Sequence, residues 1–158
     1  MEGEDMVRPS GATTSVPYFP TLRVAAGFFR EGAADREQRS IEVPDRGGRL
    51  RPDRHFVVQV EGDSMNGGPR PIHDGDFVVL EIIDASRAGS LTAERAIAVE
   101  YRDDTGDTAY ALKEVRKDAS GTYWLHSWNA RYEDIAVDPD NMFPFARLIE
   151  AVGTLPPD

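Results

Sequence analysis

Cysteine is absent from the 158 residues. That removes a thiol nucleophile, a disulfide framework and the common zinc knuckles, and it fits a reducing compartment. Histidine is scarce, and His55, His73 and His126 stand at no metal-ligand spacing. No metal or other cofactor is therefore expected. No apolar run reaches the length needed to cross a bilayer. The opening residues, Met1-Glu2-Gly3-Glu4-Asp5, have neither the basic nor the apolar region of a secretory signal. The expectation is a cytoplasmic chain with no membrane contact. Positive charge is also short: 18 Lys and Arg stand against 28 Asp and Glu, a formal net charge of −10. A surface built to grip phosphate backbones is locally basic, and no pair of segments reads as a helix-turn-helix, so direct DNA binding is not expected.

What is present favours strands and turns. Fourteen glycines and eleven prolines punctuate a chain that is 40% hydrophobic and 29% charged. Residues 1 to about 20 mix acidic residues, Ser, Thr and Pro without apolar periodicity, which reads as a flexible arm. Leu22 to Phe29 has apolar ends and a small middle, Val24-Ala25-Ala26-Gly27, suited to lying extended against a protein surface. Arg30 to Arg39 is charged and reads as a linker, Ile41-Glu42-Val43-Pro44 as an edge strand, and Asp45 to Arg54 as a turn region. The division is an N-terminal arm over 1–40 and a β domain over 41–158. Within the latter, strands are expected at Phe56–Val60, Phe77–Ile83, Ala96–Tyr101, Ala109–Val115, Thr122–Ser127 and Phe145–Val152. Asp104-Thr105-Gly106-Asp107 and Asp118-Ala119-Ser120-Gly121 mark hairpin turns between them. Ala85 to Arg95 is compatible with either a helix or a long loop. The fold class is mostly β, of antiparallel strands.

Two residues draw chemical interest. Phe56-Val57-Val58-Gln59-Val60 runs straight into Glu61-Gly62-Asp63-Ser64-Met65, so a turn places the Ser64 hydroxyl at the edge of a sheet. Gly-Asp-Ser alone is common turn composition, and a serine needs a base to become a nucleophile. Lys113 lies within the strand-like run Tyr110-Ala111-Leu112-Lys113-Glu114-Val115. A strand lysine ordinarily packs its stem and keeps its ammonium in water. One pointing into an apolar site loses proton affinity and can serve as a general base.

The longer pattern decides between these readings. Gly62-Asp63-Ser64-Met65, followed by Asp74-Gly75-Asp76 and Phe77-Val78-Val79-Leu80, resembles the catalytic motif of the S24 peptidases, the LexA- and UmuD-type self-cleaving proteins. Ala111-Leu112-Lys113 with Val115 matches the family's lysine strand, and Asn129-Ala130-Arg131-Tyr132-Glu133-Asp134-Ile135 its later asparagine-containing segment. Arg23-Val24-Ala25-Ala26-Gly27 is similar to the LexA self-cleavage segment. The resemblance covers roughly Leu22 to Gly153, and the chain departs from it in a longer middle and a charged stretch after the cleavage segment.

The resemblance implies a LexA- and signal-peptidase-like β fold. It makes Ser64 the nucleophile and Lys113 the base, with the backbone amides of Ser64 and Met65 as oxyanion donors. The cut would fall between Ala26 and Gly27, with Val24 in an apolar pocket. It further implies a homodimer of the SOS response to DNA damage, a RecA–single-stranded DNA filament as activator and, for a UmuD-like chain lacking a helix-turn-helix, a translesion DNA polymerase as the regulated partner. Two alternatives stay open: a non-cleaving dimerisation module of repressor origin, and a protease acting in trans in stress or phage defence.

Overall fold

Alternation of side chains across a pleated sheet accounts for most of the architecture. A computed structural model describes residues 12–31, 39–83 and 91–154. Nine strands form one sheet: β1 (Thr13–Phe19), β2 (Arg39–Pro44), β3 (His55–Gln59), β4 (Phe77–Ile82), β5 (Ile97–Arg102), β6 (Thr108–Lys117), β7 (Tyr123–His126), β8 (Ile135–Val137) and β9 (Met142–Gly153). Their spatial order is β2-β1-β3-β4-β9-β5-β6-β7-β8. Successive side chains of a strand point to opposite faces. Phe56 and Val58 of β3, with Val78 and Leu80 of β4, accordingly enter one core cluster, while Val57 and Val79 enter another. Ile97 and Val99 of β5 join Val115, Leu125 and Val137 in a third cluster under the β6–β8 end.

Most pairings are antiparallel, including the β5–β6 and β6–β7 hairpins that the two Asp- and Gly-containing turns predict. The exception is β1 on β3, which is parallel, with Tyr18 opposite Val57 and Phe19 opposite Val58. The sheet is therefore mixed. Strands β3 to β7 and β9 fall where the sequence places them to within a few residues, and β2 lies at the sheet edge as Pro44 requires.

The N-terminal third differs from its sequence reading. Residues assigned to a flexible arm form β1, hydrogen-bonded between β2 and β3, followed by a helix, α1 (Leu22–Glu31). The helix begins because Thr21 caps it: the Val24 amide donates to Thr21 Oγ1 at 3.2 Å. It persists because Leu22, Ala25, Ala26 and Phe29 recur at i, i+3, i+4 and i+7 and form one apolar stripe. Ala25 and Ala26 are buried, Ala25 within the first core cluster, whereas Val24 is 43% exposed. The expected extended segment with an anchored Val24 is thus a helix with Val24 turned to solvent. The remainder of the arm, residues 1–11 and 32–38, and the first part of the Ala85–Arg95 stretch lie outside the described residues.

An aromatic cluster fastens α1 to the sheet. Phe29 stands 4.9 Å from Phe56 and 5.6 Å from Phe19, ring centre to ring centre, and Phe19 is 5.1 Å from Phe28. Such pairs contribute about 0.5–1.5 kcal/mol each beyond the area they bury. Phe56 is fully buried at the base of this cluster. Phe56→Ala is expected to cost about 3–5 kcal/mol of stability, read as a shift of the urea unfolding midpoint; a loss below about 1 kcal/mol would contradict this packing account.

Candidate functional site

Gly62 begins the turn that carries Ser64, and its φ of +84° lies in the left-handed region where a side chain is strained. Two aspartates tie this turn to the loop before β4. The Gly62 amide donates to an Asp74 carboxylate oxygen at 2.6 Å, and the Asp74 amide donates to the Asp63 carboxylate at 3.3 Å. Backbone bonds from Val60 to Asp76 and from Gly75 to Val60 continue the β3–β4 pairing up to the turn. Met65 then plunges into the core at 1% exposure, and its carbonyl accepts from the Ile72 amide. The Gly-Asp-Ser-Met and Asp-Gly-Asp stretches are thus two halves of one hydrogen-bonded unit. The amides of Ser64 and Met65 have no protein partner among the described residues.

Lys113 is buried, at 6% exposure. Its cross-strand neighbour on β5 is the fully buried Ile97. The ammonium donates to Ser127 Oγ at 2.7 Å and stands 5.7 Å from the centre of the Tyr132 ring. Burial lowers its pKa to about 8, because little water remains to solvate the charge. Ser64 and Lys113 line the same groove of about 760 Å³, without a hydrogen bond between them. In this arrangement the lysine is held by Ser127 instead.

The groove has two strand edges for walls. β6 pairs with β5 from Thr108 to Lys113, but with β7 only from Glu114 onward. Its Thr108–Lys113 half therefore keeps one edge unpaired among the described residues. Val60 to Gly62 of the segment after β3, whose hydrogen bonds run toward β4, lines the facing wall. An extended peptide laid between these edges can exchange main-chain hydrogen bonds with them, as in strand addition. Thr21, Leu22 and Arg23 reach the groove at the start of α1. Ala26 and Gly27 do not: they lie in the helix interior, and Ala26 is 5% exposed.

Ser127 is the site residue that sequence reasoning missed. Its signal was available in the β6–β7 hairpin, where Lys117 pairs with Tyr123 and Glu114 with His126. One further step in that register sets Lys113 opposite Ser127. Tyr132, read as a core or interface aromatic, is 45% exposed and lines the groove over the lysine.

Burying an ammonium without a counter-ion burdens the fold. With a pKa of about 8 in the folded chain and 10.5 as the ordinary value, the unfolded chain binds the proton more tightly. The penalty is complete below pH 8 and fades as pH rises to about 10.5. Lys113→Met is expected to raise the thermal midpoint at pH 7 by the equivalent of about 1–3 kcal/mol, with the gap from wild type closing toward pH 10. An equal or lower midpoint at pH 7 would show that the lysine is not destabilising.

Comparison with known proteins identifies the family. A family model described as Peptidase S24-like matches residues 17–149. A LexA repressor of Erythrobacter litoralis (strain HTCC2594) is 32% identical over 117 residues, which cover 74% of this chain and 43% of that protein. This chain thus spans less than half the length of that relative. The matched region takes in the Ser64 turn, the Lys113 strand and helix α1, and the chain belongs to the Peptidase S24-like family.

Proposed function

We propose that the protein is a serine–lysine peptidase that cuts its own Ala26–Gly27 bond. The observation that carries this reading is a buried lysine, free of any carboxylate among the described residues, on the wall of a groove that also holds Ser64. With its pKa at about 8, part of the Lys113 population is neutral near physiological pH. Its lone pair takes the Ser64 proton as Oγ attacks the Ala26 carbonyl. The Ser64 and Met65 amides stabilise the oxyanion. The lysinium then returns the proton to the Gly27 amine as the peptide bond breaks. Water, deprotonated by the same lysine, hydrolyses the acyl-enzyme and releases Ala26 as a carboxylate. Ser127 accepts one lysine N–H, which limits rotation of the amine and leaves its lone pair free for Ser64.

Helix α1 sets the condition for this reaction. A helical peptide bond satisfies its own backbone groups and cannot pair with strand edges, so α1 must unwind for the bond to reach Ser64. Leu22 already lines the groove, and at about 3.3 Å per extended residue the four steps from it to Ala26 carry the chain roughly 13 Å further. A tethered substrate reacts at high effective concentration, and unwinding is the step on which a trigger acts. From the family resemblance we propose a RecA–single-stranded DNA filament as that trigger, a homodimer as the working form and a DNA polymerase as the regulated partner.

A second reading has its own support. The groove is open while Ala26 is buried in a helix, which suits an extended peptide of another chain as substrate.

Incubating the purified chain from pH 7 to 10 and measuring intact mass tests both readings. Fragments 1–26 and 27–158 are expected, formed at a rate that is independent of protein concentration and rises with pH around a midpoint near 8. Neither Ser64→Ala nor Lys113→Ala should cut. A rate proportional to concentration favours the second reading, and no cut at any pH, with RecA filament added, eliminates the first. Phe29→Ala, which removes a clamp of α1, is expected to speed the cut several-fold; an unchanged rate would mean that α1 is not the gate.

A further inference from the structure

We infer that Asn129 is a positioning residue for the oxyanion site, fixing the two peptide planes on either side of Ser64; its catalytic consequence rests on the peptidase reading above. The Asn129 side-chain amide donates to the Asp63 carbonyl at 3.0 Å, and the Asn129 backbone amide donates to the Ser64 carbonyl at 3.0 Å. These carbonyls belong to the Asp63–Ser64 and Ser64–Met65 peptides. A trans peptide is planar, with its C=O and N–H pointing in opposite directions, and no described peptide bond is cis. Holding each carbonyl toward Asn129 therefore aims the Ser64 and Met65 N–H groups away from it. Neither of those amides has a partner among the described residues. The Asp63 carbonyl also accepts from the Asn66 amide at 3.0 Å, so a residue from a loop 65 positions later completes the fixing of the first plane and supplies the bond that fixes the second.

Three further contacts show that this loop is built for the task. The other end of the Asn129 side chain is occupied, since its Oδ1 accepts from the Arg131 amide at 3.0 Å, which fixes the amide flip. The Tyr132 amide donates to the Asn129 carbonyl at 3.0 Å, closing the turn. On the opposite side, Gly67 approaches so closely that a Cβ there would overlap the Trp128 carbonyl. The loop also joins the two halves of the site, because Ser127, the partner of Lys113, lies two residues before Asn129. Preorganised donors that need no reorganisation during reaction carry much of the effect of an oxyanion site. A turn free to rock would lose that advantage while keeping serine and lysine in place.

Asn129→Asp keeps the acceptor for Arg131 but cannot donate to Asp63, and Asn129→Ala removes both bonds. In the self-cleavage assay, each variant is expected to lower the high-pH plateau rate ten- to a hundredfold. The pH midpoint, which belongs to Lys113 and Ser127, should stay where it is in wild type. A wild-type rate in Asn129→Asp overturns the inference, and so does a fall in rate accompanied by loss of cooperative thermal unfolding. A second measurement is independent of cleavage. In a Ser64→Ala background, Asn129→Ala should speed hydrogen exchange of the Gly62, Asn66 and Asp74 amides, whose bonds hold this turn, at least tenfold, with β5 and β9 unchanged; unchanged exchange at those three amides overturns the inference. A wild-type chain that never cuts, combined with faster exchange in the variant, would remove the peptidase reading and leave the positioning role standing.

Discussion

An ammonium group enclosed by apolar neighbours, with a hydroxyl as its hydrogen-bond partner, is the constraint around which this molecule is arranged. Lys113 could have been given a carboxylate, and the chain has 28 acidic residues to supply one. A counter-ion would have kept the lysine charged. Glu81 shows how the same fold treats a buried charge that must persist. Burial works to raise its pKa, but hydrogen bonds from Arg147 and Arg54 outweigh this and hold it below the ordinary value. Glu81 is neutralised by pairing and Lys113 is left to shed its proton. The β5–β6–β7 hairpins create that difference by placing Ile97 and Ser127 beside the lysine.

The parts of the fold legible in the sequence are those where one local rule dominates. Strands β3 and β4 are short, branched and apolar, and the Asp- and Gly-containing turns around β6 admit few alternatives. Gly62, Asp63, Asp74 and Gly75 were readable as a motif before their mutual hydrogen bonds explained it. β1 was not legible, because Thr-Thr-Ser-Val-Pro-Tyr-Phe gains its strand character from β2 and β3 on either side. Helix α1 is legible, but it competes with an extended reading of the same residues. Its small residues suggested an extended peptide, yet Leu22, Ala25, Ala26 and Phe29 carry the helical period and Thr21 supplies the cap. Ser127 is legible through the register of one hairpin, whereas Asn129 needs long-range geometry: a polar residue in a loop reveals a partner 66 positions away only when the fold closes.

If the proposed self-cleavage holds, the helix also changes how such a peptidase is kept at rest. Distance alone is a weak restraint on a tethered segment, since a flexible arm samples the groove continually. A folded helix, anchored by Phe28 and Phe29 on Phe19 and Phe56, adds a conformational free energy that must be supplied before any encounter. Gly27 in its interior lowers that barrier by roughly 0.5–1 kcal/mol relative to alanine. The same residue that suits a close backbone approach at a cutting site thus also makes the helix easier to open.

The unpaired edge of β6 has a meaning beyond catalysis. A bare strand edge is ordinarily a hazard, because any other sheet can add to it and begin an aggregate. Here the edge lies within a groove, facing a second backbone wall. A strand with both edges free can exchange hydrogen bonds with both walls, whereas one already paired in a sheet can do so with only one. On the proposed reading, the recess would thus favour polypeptides by their state of folding before any side chain is read, taking an unwound segment in preference to a folded neighbour.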